Sequence, residues 1–370
     1  MKKRSDTADR RVLRRVDRVI GDLRRGIPVI IHGEGLSAVI QAAENASADG
    51  LAQLARAGGG KISLALTHRR AAALGLAPAA SAPGGTVVLA LPPGTEAPYL
   101  RQLADPGAAV VGLGIAAPKG EKIADAAVAL MKLAHLLPAA AIATLGPRKA
   151  AKLASEDGLP ALDAAEVFAY HASAARALEI VSEARVPLAD AEQARLVHFR
   201  PGDGGAGHVA IIIGEPDPAK PVLVRLHSEC FTGDLLGSLR CDCGDQLRGA
   251  IAAIAKEGDG ILLYLSQEGR GIGLANKLRA YELQDAGFDT IDANELLGFD
   301  ADERVYLPAA AMLRQLGFTR VRLMTNNPEK VAALTRSGIE VVERIAHAFP
   351  SNAHNERYLR TKARRGGHLL

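Results

Sequence analysis

The sequence contains no tryptophan, and aromatic residues make up only 4% of its 370 positions. Proteins that hold single-stranded nucleic acid stack the bases on aromatic side chains, so this scarcity argues against a nucleic-acid partner. The formal net charge of +4 decides nothing by itself, because a mild positive excess suits an anionic small molecule equally well. We therefore expect a small-molecule partner and no nucleic acid.

Long uninterrupted apolar runs are also missing. The first six residues, Met-Lys-Lys-Arg-Ser-Asp, are basic and polar and lead into more charge, unlike a secretory leader. The most apolar stretch, residues 123–145, is interrupted by Asp125, Lys132 and Pro138, so it is not expected to span a membrane. Without an export signal, and with thiols expected to stay reduced, the protein is predicted to be cytoplasmic with no membrane partner.

The length predicts two domains, because 370 residues are more than one hydrophobic core usually serves. In the first half, short β-rich runs alternate with helical periodicity, which predicts an α/β (mixed α+β) architecture. A strand is predicted at 29–31, a helix across 36–57 and a short connecting helix at 171–186. The predicted domains comprise residues 1–175 and residues 176–370.

The 3 cysteines all lie in one short segment, at Cys230, Cys241 and Cys243. An odd count leaves one thiol over, and two cysteines that flank a single residue have poor disulfide geometry. A trio of thiolates is instead typical of a site for a soft metal, here zinc. Three ligands would leave a position open for water, as in catalytic zinc sites. The alternative is a closed structural site with His227 as fourth ligand.

Polar segments follow predicted strands at 221–226, 261–265 and 321–324. Ligands of α/β sheets bind at the C-terminal ends of strands, which makes these segments candidates for a binding site. The second one is the glycine-rich stretch 267–273, whose backbone N–H groups and Arg270 could hold phosphate. The sequence has no G-x-x-x-x-G-K-[ST] signature, so a nucleotide would not be held by a P-loop.

From about residue 180 to the C-terminus, six separated motifs resemble GTP cyclohydrolase II. They are Arg225–Gln246, Gln267–Gly287, Asp302–Arg304, Thr325–Pro328, Asn355–Tyr358 and Gly367–Leu370. The resemblance implies a GTP cyclohydrolase II-like fold and a homodimer. It also implies a zinc-dependent hydrolase that opens the imidazole ring of GTP, with Mg²⁺ on the phosphates, in the first step of riboflavin biosynthesis. The implied products are 2,5-diamino-6-(5-phosphoribosylamino)pyrimidin-4(3H)-one, formate and diphosphate.

The resemblance also implies the site residues by position. The zinc ligands, for one ion per subunit, are Cys230, Cys241 and Cys243. The catalytic residues are Asp302 as proton acceptor, Arg304 as nucleophile and Tyr281 near the zinc site. The GTP-binding residues are Arg225, Leu226, His227, Ser228, Glu229, Gln246, Glu268, Gly269, Arg270, Thr290, Thr325 and Lys330. Ser266 departs from the pattern, because the family usually has a basic residue there.

Two questions of mechanism stay open at this level. A nucleophilic Arg304 is chemically awkward, since guanidinium keeps its proton with a pKa above about 12, and Asp302 would have to orient or deprotonate it. The alternative is that Arg304 only stabilises the departing pyrophosphate. A hypothesis of another class is a non-enzymatic regulator that binds zinc and nucleotide on the same scaffold.

The first half resembles 3,4-dihydroxy-2-butanone 4-phosphate synthase in outline. The likeness lies in the order of Leu23–Ile31, a helix containing Glu44, and Lys61–Leu66. That family needs an acidic cluster after the first strand to hold magnesium and the sugar phosphate. Here the segment His32–Val39 keeps a single carboxylate, and the later Gly-His-Thr-Glu motif is missing. We therefore predict a degenerate domain without that activity, which serves as a scaffold or a dimerisation domain.

Overall fold

A computed structural model describes residues 2–76, 85–106, 121–201, 204–349 and residue 365. These residues form two compact units, each discontinuous in sequence. The N-terminal unit comprises residues 11–170 and 275–303, and the C-terminal unit comprises the described parts of 1–10, 171–274 and 304–370. The predicted α/β class with two domains is confirmed, because each unit has its own sheet and helices. The domain limit at residue 175 stays a prediction, and the motifs at 355–358 and 367–370 lie outside the described residues.

The elements up to residue 176 are α1 (Lys2–Arg24), β1 (Val29–Gly33), β2 (Leu36–Ala42), α2 (Ala48–Ala57), β3 (Ser63–Thr67), α3 (His68–Ala73), β4 (Thr86–Ala90), α4 (Ala97–Ala104), α5 (Glu121–Leu133), β5 (Ala139–Leu145), α6 (Pro147–Glu156), β6 (Ala161–Asp163) and α7 (Ala164–Arg176). The strands form one sheet in the order β4-β3-β5-β2-β1-β6. Its pairs are antiparallel except for β1 with β6. Helix α5 packs on this sheet, and its Ile123, Leu130 and Met131 are part of the core.

The elements from residue 178 onward are β7 (Leu178–Arg185), β8 (Ala194–Pro201), β9 (His208–Ile213), β10 (Val222–Ser228), a π-helical turn (Phe231–Leu235), α8 (Cys243–Glu257), β11 (Gly260–Leu265), a 3-10 turn (Glu268–Gly271), α9 (Leu274–Asp285), α10 (Thr290–Leu296), α11 (Leu307–Gln315), β12 (Arg320–Met324), α12 (Pro328–Arg336) and β13 (Glu340–Ile345). The sheet of the C-terminal unit has the order β13-β12-β10-β11-β9-β8-β7. Strands β13, β12, β10 and β11 are parallel, and the others are antiparallel.

Strand β10 is buried on both faces of the C-terminal sheet. Val224 and Leu226 share a core with α11, whereas Leu223 shares a core with Ile254 of α8. Successive side chains of a strand point to opposite faces, so the apolar residues of β10 fill both cores, and the polar Arg225 and His227 stand among them near its C-terminal end. The segment that contains Cys230 therefore follows a strand that is packed on both faces. Within the described part of the chain, no helix is both long and apolar enough to cross a membrane.

Two predicted helices are wrong in part. Residues 36–42 form strand β2, which lies between β1 and β5, and nearly all of them are buried. A short, fully buried apolar run has the same pattern in a strand and in a helix, so its periodicity misleads. The predicted helix at 171–186 ends at Arg176, and the remainder is the edge strand β7. Beyond Leu178 that strand is exposed, so no alternating burial marked it as a strand.

Candidate active site

Three neighbouring parallel strands, β11, β10 and β12, end at the same edge of the C-terminal sheet. The polar segments that were candidates from the sequence follow these ends directly. They are joined by hydrogen bonds: the Glu229 N–H donates to the Leu265 carbonyl at 2.9 Å, and Lys330 Nζ donates to the Leu226 carbonyl at 2.7 Å. The topology thus brings together segments that lie as far as 104 residues apart in the sequence.

The sulfur atoms of Cys230, Cys241 and Cys243 all lie within 4.8 Å of one another, and those of Cys230 and Cys241 are 3.8 Å apart. A tetrahedral zinc ion with Zn–S bonds of about 2.3 Å holds two sulfur ligands about 3.8 Å apart, so the trio fits this ion. The hydrogen bond with Cys230 raises the pKa of Cys241 to about 11. A divalent cation would supply the charge that stabilises these thiolates. In the part of the chain that the structure describes, this is the only such group of potential metal ligands.

His227 is engaged elsewhere. Its Nε2 lies 3.1 Å from both carboxylate oxygens of Asp234, and its ring stacks on Tyr264 with centroids 5.5 Å apart. Asp234 also accepts hydrogen bonds from the Tyr264 hydroxyl at 2.9 Å and from the Cys230 N–H at 3.0 Å. Burial lowers the pKa of His227 below its ordinary value. This geometry favours the open three-cysteine site over the site closed by His227, and it makes Asp234 the link between His227 and the first cysteine.

Gly233 of the π-helical turn lies directly against the cysteines. A Cβ added there would be 2.7 Å from Cys241 Sγ and 3.1 Å from Cys230 Sγ, so the sulfur atoms would have to move. We expect Gly233→Ala to weaken metal affinity at least about tenfold, because ligand positions set the affinity of a metal site. Metal content and chelator competition would measure this. Gly146→Ala is the control, since a Cβ there meets no atom within 4 Å, and equal affinity in both variants would contradict the prediction.

Arg304 and Lys330 lie about the ring of Tyr306, with Arg304 Cζ and Lys330 Nζ at 5.8 and 5.9 Å from its centroid. Arg225 is buried nearby, donates to the Met324 carbonyl at 3.1 Å, and has its pKa lowered to about 10 chiefly by burial. Its Nε finds no hydrogen-bond partner among the described residues, which is unusual for a buried donor. These three cations form what we call the cationic cluster, and their combined charge suits a polyphosphate.

The acidic and amide side chains of the predicted binding set lie near the cysteines and the cations. Gln246 of α8 accepts a hydrogen bond from the Arg225 guanidinium. Glu268 accepts from the Phe231 N–H at 2.6 Å, which ties the loop after β11 to the π-helical turn. Burial, and then the negative charge of Glu268, raise the pKa of Glu229. These side chains thus offer hydrogen-bond acceptors beside the metal and phosphate candidates.

The remaining binding positions of the C-terminal unit have different environments. Gly269 and Arg270 adopt consecutive left-handed conformations with φ of 63° and 60°. That conformation is uncommon for a residue with a side chain and tends to occur at functional sites. Ser228 accepts from the Gln267 amide at 3.0 Å, and Thr325 is buried after β12. Leu226 is also buried, so only its backbone is available to a ligand.

Three predicted residues belong to the N-terminal unit instead. Tyr281 lies on α9, Thr290 is the first residue of α10, and Asp302 lies in the loop after α10. The Tyr281 ring centroid is 5.8 Å from Lys277 Nζ. Asp289 caps α10 by accepting hydrogen bonds from two backbone N–H groups of its first turn at 2.8 and 2.9 Å. The predicted site residues are thus divided between the two units, and the structure brings together those of the C-terminal unit.

The sequence predictions missed Asp234, Tyr264 and Tyr306. A carboxylate four residues after Cys230 was an available signal for Asp234, because metal ligands are usually oriented by hydrogen-bonded neighbours. Tyr264 pairs with His227 across β10 and β11, a register that the sequence does not specify. Nothing marks Tyr306 except its closeness to Arg304 in the sequence.

Comparisons with known proteins decide the family. A sequence model of GTP cyclohydrolase II matches residues 179–346. A GTP cyclohydrolase-2 from Azospirillum brasilense is 53% identical over 370 residues, covering 98% of this chain and 95% of the relative. The chain belongs to the GTP cyclohydrolase II family. A GTP cyclohydrolase-2 from Xylella fastidiosa is 41% identical over 358 residues, covering 96% of this chain and 87% of the relative. The predicted family and the prediction that the protein is an enzyme are confirmed.

The solved structures that match this chain do so only weakly, and they are of proteins named for another activity. One is a two-domain 3,4-dihydroxy-2-butanone 4-phosphate synthase from A. baumannii, 17% identical with a TM-score of 0.37, covering 90% of this chain and 99% of that one. A cation-free 3,4-dihydroxy-2-butanone 4-phosphate synthase is 22% identical with a TM-score of 0.35, covering 42% of this chain and 96% of that one. At this level of likeness, the activity of the N-terminal unit has to be argued from its own residues.

The N-terminal unit has a tight turn where the synthase family needs its acidic cluster. Strands β1 and β2 are joined by Glu34 and Gly35, both with positive φ, as in a two-residue hairpin. The carboxylate of Glu34 forms an ion pair with Lys122 at 2.7 Å. A single carboxylate that already has a cationic partner is a poor site for a hard metal ion. The absence of synthase activity therefore stays our prediction.

Proposed function

We propose that this enzyme hydrolyses GTP to 2,5-diamino-6-(5-phosphoribosylamino)pyrimidin-4(3H)-one, formate and diphosphate, the first step of riboflavin biosynthesis. The observation that carries the proposal is the pairing of three sulfur atoms at zinc spacing with the cationic cluster at one edge of a sheet. Ring opening at guanine C8 needs a hydrolytic centre, and diphosphate release needs positive charge. The family's name and the relatives' names agree with this substrate.

The proposed metal is zinc, held by Cys230, Cys241 and Cys243. When bound in an open three-ligand site, zinc lowers the pKa of a coordinated water to about 7 and so supplies a hydrolytic nucleophile. The protein's part is to hold the ligands: Asp234 fixes the Cys230 N–H, and Gly233 leaves the space that the sulfur atoms occupy. Tyr281 is proposed to donate or relay the proton that the opening ring requires.

The phosphates are proposed to bind at the cationic cluster, with Mg²⁺ sharing their charge. Arg225, Arg304 and Lys330 provide positive charge, and Arg270 adds another cation from the loop after β11. With these cations present, phosphate binding is proposed not to require a basic residue at position 266. Ser266 at this position donates its hydroxyl to the Gly207 carbonyl at 2.6 Å. Asp302 is proposed as proton acceptor. The remaining proposed binding residues are Leu226, His227, Ser228, Glu229, Gln246, Glu268, Gly269, Thr290 and Thr325.

Turnover of GTP tests the proposal. The full chain with zinc and magnesium is expected to release formate and diphosphate and to form a product with the ultraviolet spectrum of a diaminopyrimidine. Removing zinc with a chelator and restoring it afterwards is the control, and activity should disappear and return. GTP binding without formate release would instead support the regulator hypothesis. The family resemblance also implies a homodimer, which sedimentation of the purified protein would test. A cytoplasmic location stays a prediction from the reduced thiols.

A further inference from the structure

Residues 275–303 pack within the N-terminal unit, although the chain directly before and after them belongs to the C-terminal unit. We call these residues the inserted segment. It carries Tyr281, Thr290 and Asp302, the three proposed site residues that lie outside the C-terminal unit. Contacts that hold the inserted segment in place therefore also determine the positions of these three residues.

The end of α10 is held by α3 and the residue before it. Thr67 Oγ1 donates to the Gly298 carbonyl at 2.6 Å, and the Arg70 guanidinium donates to the Leu296 carbonyl at 3.1 Å. These carbonyls lie at a helix C-terminus, where backbone acceptors lack helical partners and a cation is favourable. Gly298 has φ of 91°, and a Cβ there would lie 2.9 Å from both Thr67 Oγ1 and Pro138 Cγ. The inserted segment is therefore in close backbone contact with the rest of its unit.

The loop that contains Asp302 is held by two cations. Lys132 of α5 pairs with Glu303 at 2.6 Å and with Asp300 at 3.4 Å. Arg69 of α3 pairs with the same Asp300 at 3.4 Å and with Glu295 of α10 at 3.1 Å. All of these side chains are less than one third exposed, so solvent screens their attraction less than it screens a surface pair. Two of the carboxylates lie within two residues of Asp302.

A third set of contacts holds α9 near Tyr281. Glu44 pairs with Arg279 at 2.6 Å, and its second oxygen accepts from the Leu137 N–H at 2.7 Å. Asn276 donates to the His135 carbonyl at 3.0 Å. Glu44 thus spans from the inserted segment to the backbone before β5, and both ends of the segment are attached to the N-terminal unit.

We propose that the N-terminal unit serves the cyclohydrolase reaction by positioning the inserted segment. In this inference, which rests on the proposed function, Thr67, Arg69, Arg70 and Lys132 are positioning residues that act through Tyr281 and Asp302. Misplacing a catalytic group by about 1 Å can cost about 100-fold in rate, so the attachment matters for turnover even though these residues need not touch GTP. This role requires none of the chemistry of the synthase family.

A matched pair of lysines on α5 provides the experiment. Lys132 pairs with the inserted segment, whereas Lys122 pairs with Glu34 of the β1–β2 turn, and the two distances are 2.6 and 2.7 Å. In the full chain, Lys132→Met is expected to lower kcat for formate release about tenfold to 100-fold with little change in KM and no loss of zinc. Lys122→Met should retain wild-type kcat, and Lys132→Arg should restore most of the activity because it keeps the charge.

Hydrogen exchange supplies a readout that does not depend on turnover. Lys132→Met should speed amide exchange in residues 275–303 and leave strands β10 and β11 unchanged, and Lys122→Met should change neither. Wild-type kcat in Lys132→Met, or equal losses in the two lysine variants, would overturn the inference. Absence of formate release from the wild type would instead overturn the proposed function. Arg69→Ala is a second variant with the same expected pattern, for the case that Lys132→Met is poorly folded.

Discussion

Replacing Cys241 with serine is expected to abolish ring opening of GTP, with formate release falling at least about 100-fold. A three-ligand site has no redundancy, and a serine hydroxyl is a far weaker zinc ligand than a thiolate. Cys230→Ser and Cys243→Ser should behave alike, because all three sulfur atoms share one site. Metal content of the purified variants and formate release under identical conditions are the measurements.

Ser238→Ala is a suitable control for the cysteine variants, since it removes a hydroxyl from the same loop without removing a sulfur atom. It should keep both its zinc and its activity. Diphosphate release is measured in parallel, because its retention would show that the phosphate chemistry does not depend on the thiolates. Full ring-opening activity in a zinc-free cysteine variant would refute the proposed metal centre.

Replacing Arg304 with lysine is expected to lower kcat about 100-fold to 1,000-fold, and the wild-type enzyme is expected to form no protein-bound nucleotide. Arg304 lies with Lys330 about the ring of Tyr306, which places it in a cluster suited to holding phosphate charge. Lysine keeps the charge but loses the bidentate fork, and loss of one transition-state donor typically costs about 2.7–4 kcal/mol. Arg320→Lys, on an exposed strand residue, should leave kcat unchanged.

Rapid-quench labelling with α-phosphate-labelled GTP distinguishes two roles of Arg304. It is either a nucleophile or an electrostatic clamp, which only stabilises the departing pyrophosphate. A covalent guanylyl adduct in a single turnover of the wild-type enzyme, together with a loss in Arg304→Lys well beyond about 1,000-fold, would establish Arg304 as nucleophile. Asp302→Asn gives a second criterion. It should be nearly as damaging as Arg304→Lys if Asp302 is the base partner of a nucleophile, and less damaging if Arg304 acts only as a clamp.

The parts of the site that follow single strands were predictable from the sequence. Strand β10 and the Cys230 segment after it were predicted because a buried apolar run followed by clustered polar residues is a local pattern. The same applies to Arg270 after β11 and to Lys330 after β12. The parallel arrangement that joins these loops follows from general rules of α/β sheets.

Contacts between distant residues could not be predicted in this way. The bonds of Asp234 to His227 and Tyr264 depend on the pairing register of β10 and β11, and the sequence does not specify that register. The packing of residues 275–303 in the N-terminal unit is another case, because their helical periodicity fits either unit equally well. The prediction for β2 was wrong for a simpler reason. Its nearly uniform burial removes the alternation of buried and exposed residues that distinguishes a strand from a helix.

The discontinuity of the N-terminal unit has a consequence for synthesis on the ribosome. All strands of its sheet come before residue 170 in the sequence. The helices of residues 275–303, which complete the unit, are synthesised more than one hundred residues later. At about 5–20 residues per second, the nascent chain must wait roughly ten seconds before Thr67, Arg70 and Glu44 can meet their partners. Until then the N-terminal unit exposes an unfilled docking surface, so a ribosome stalled between these positions would present a natural substrate for chaperones.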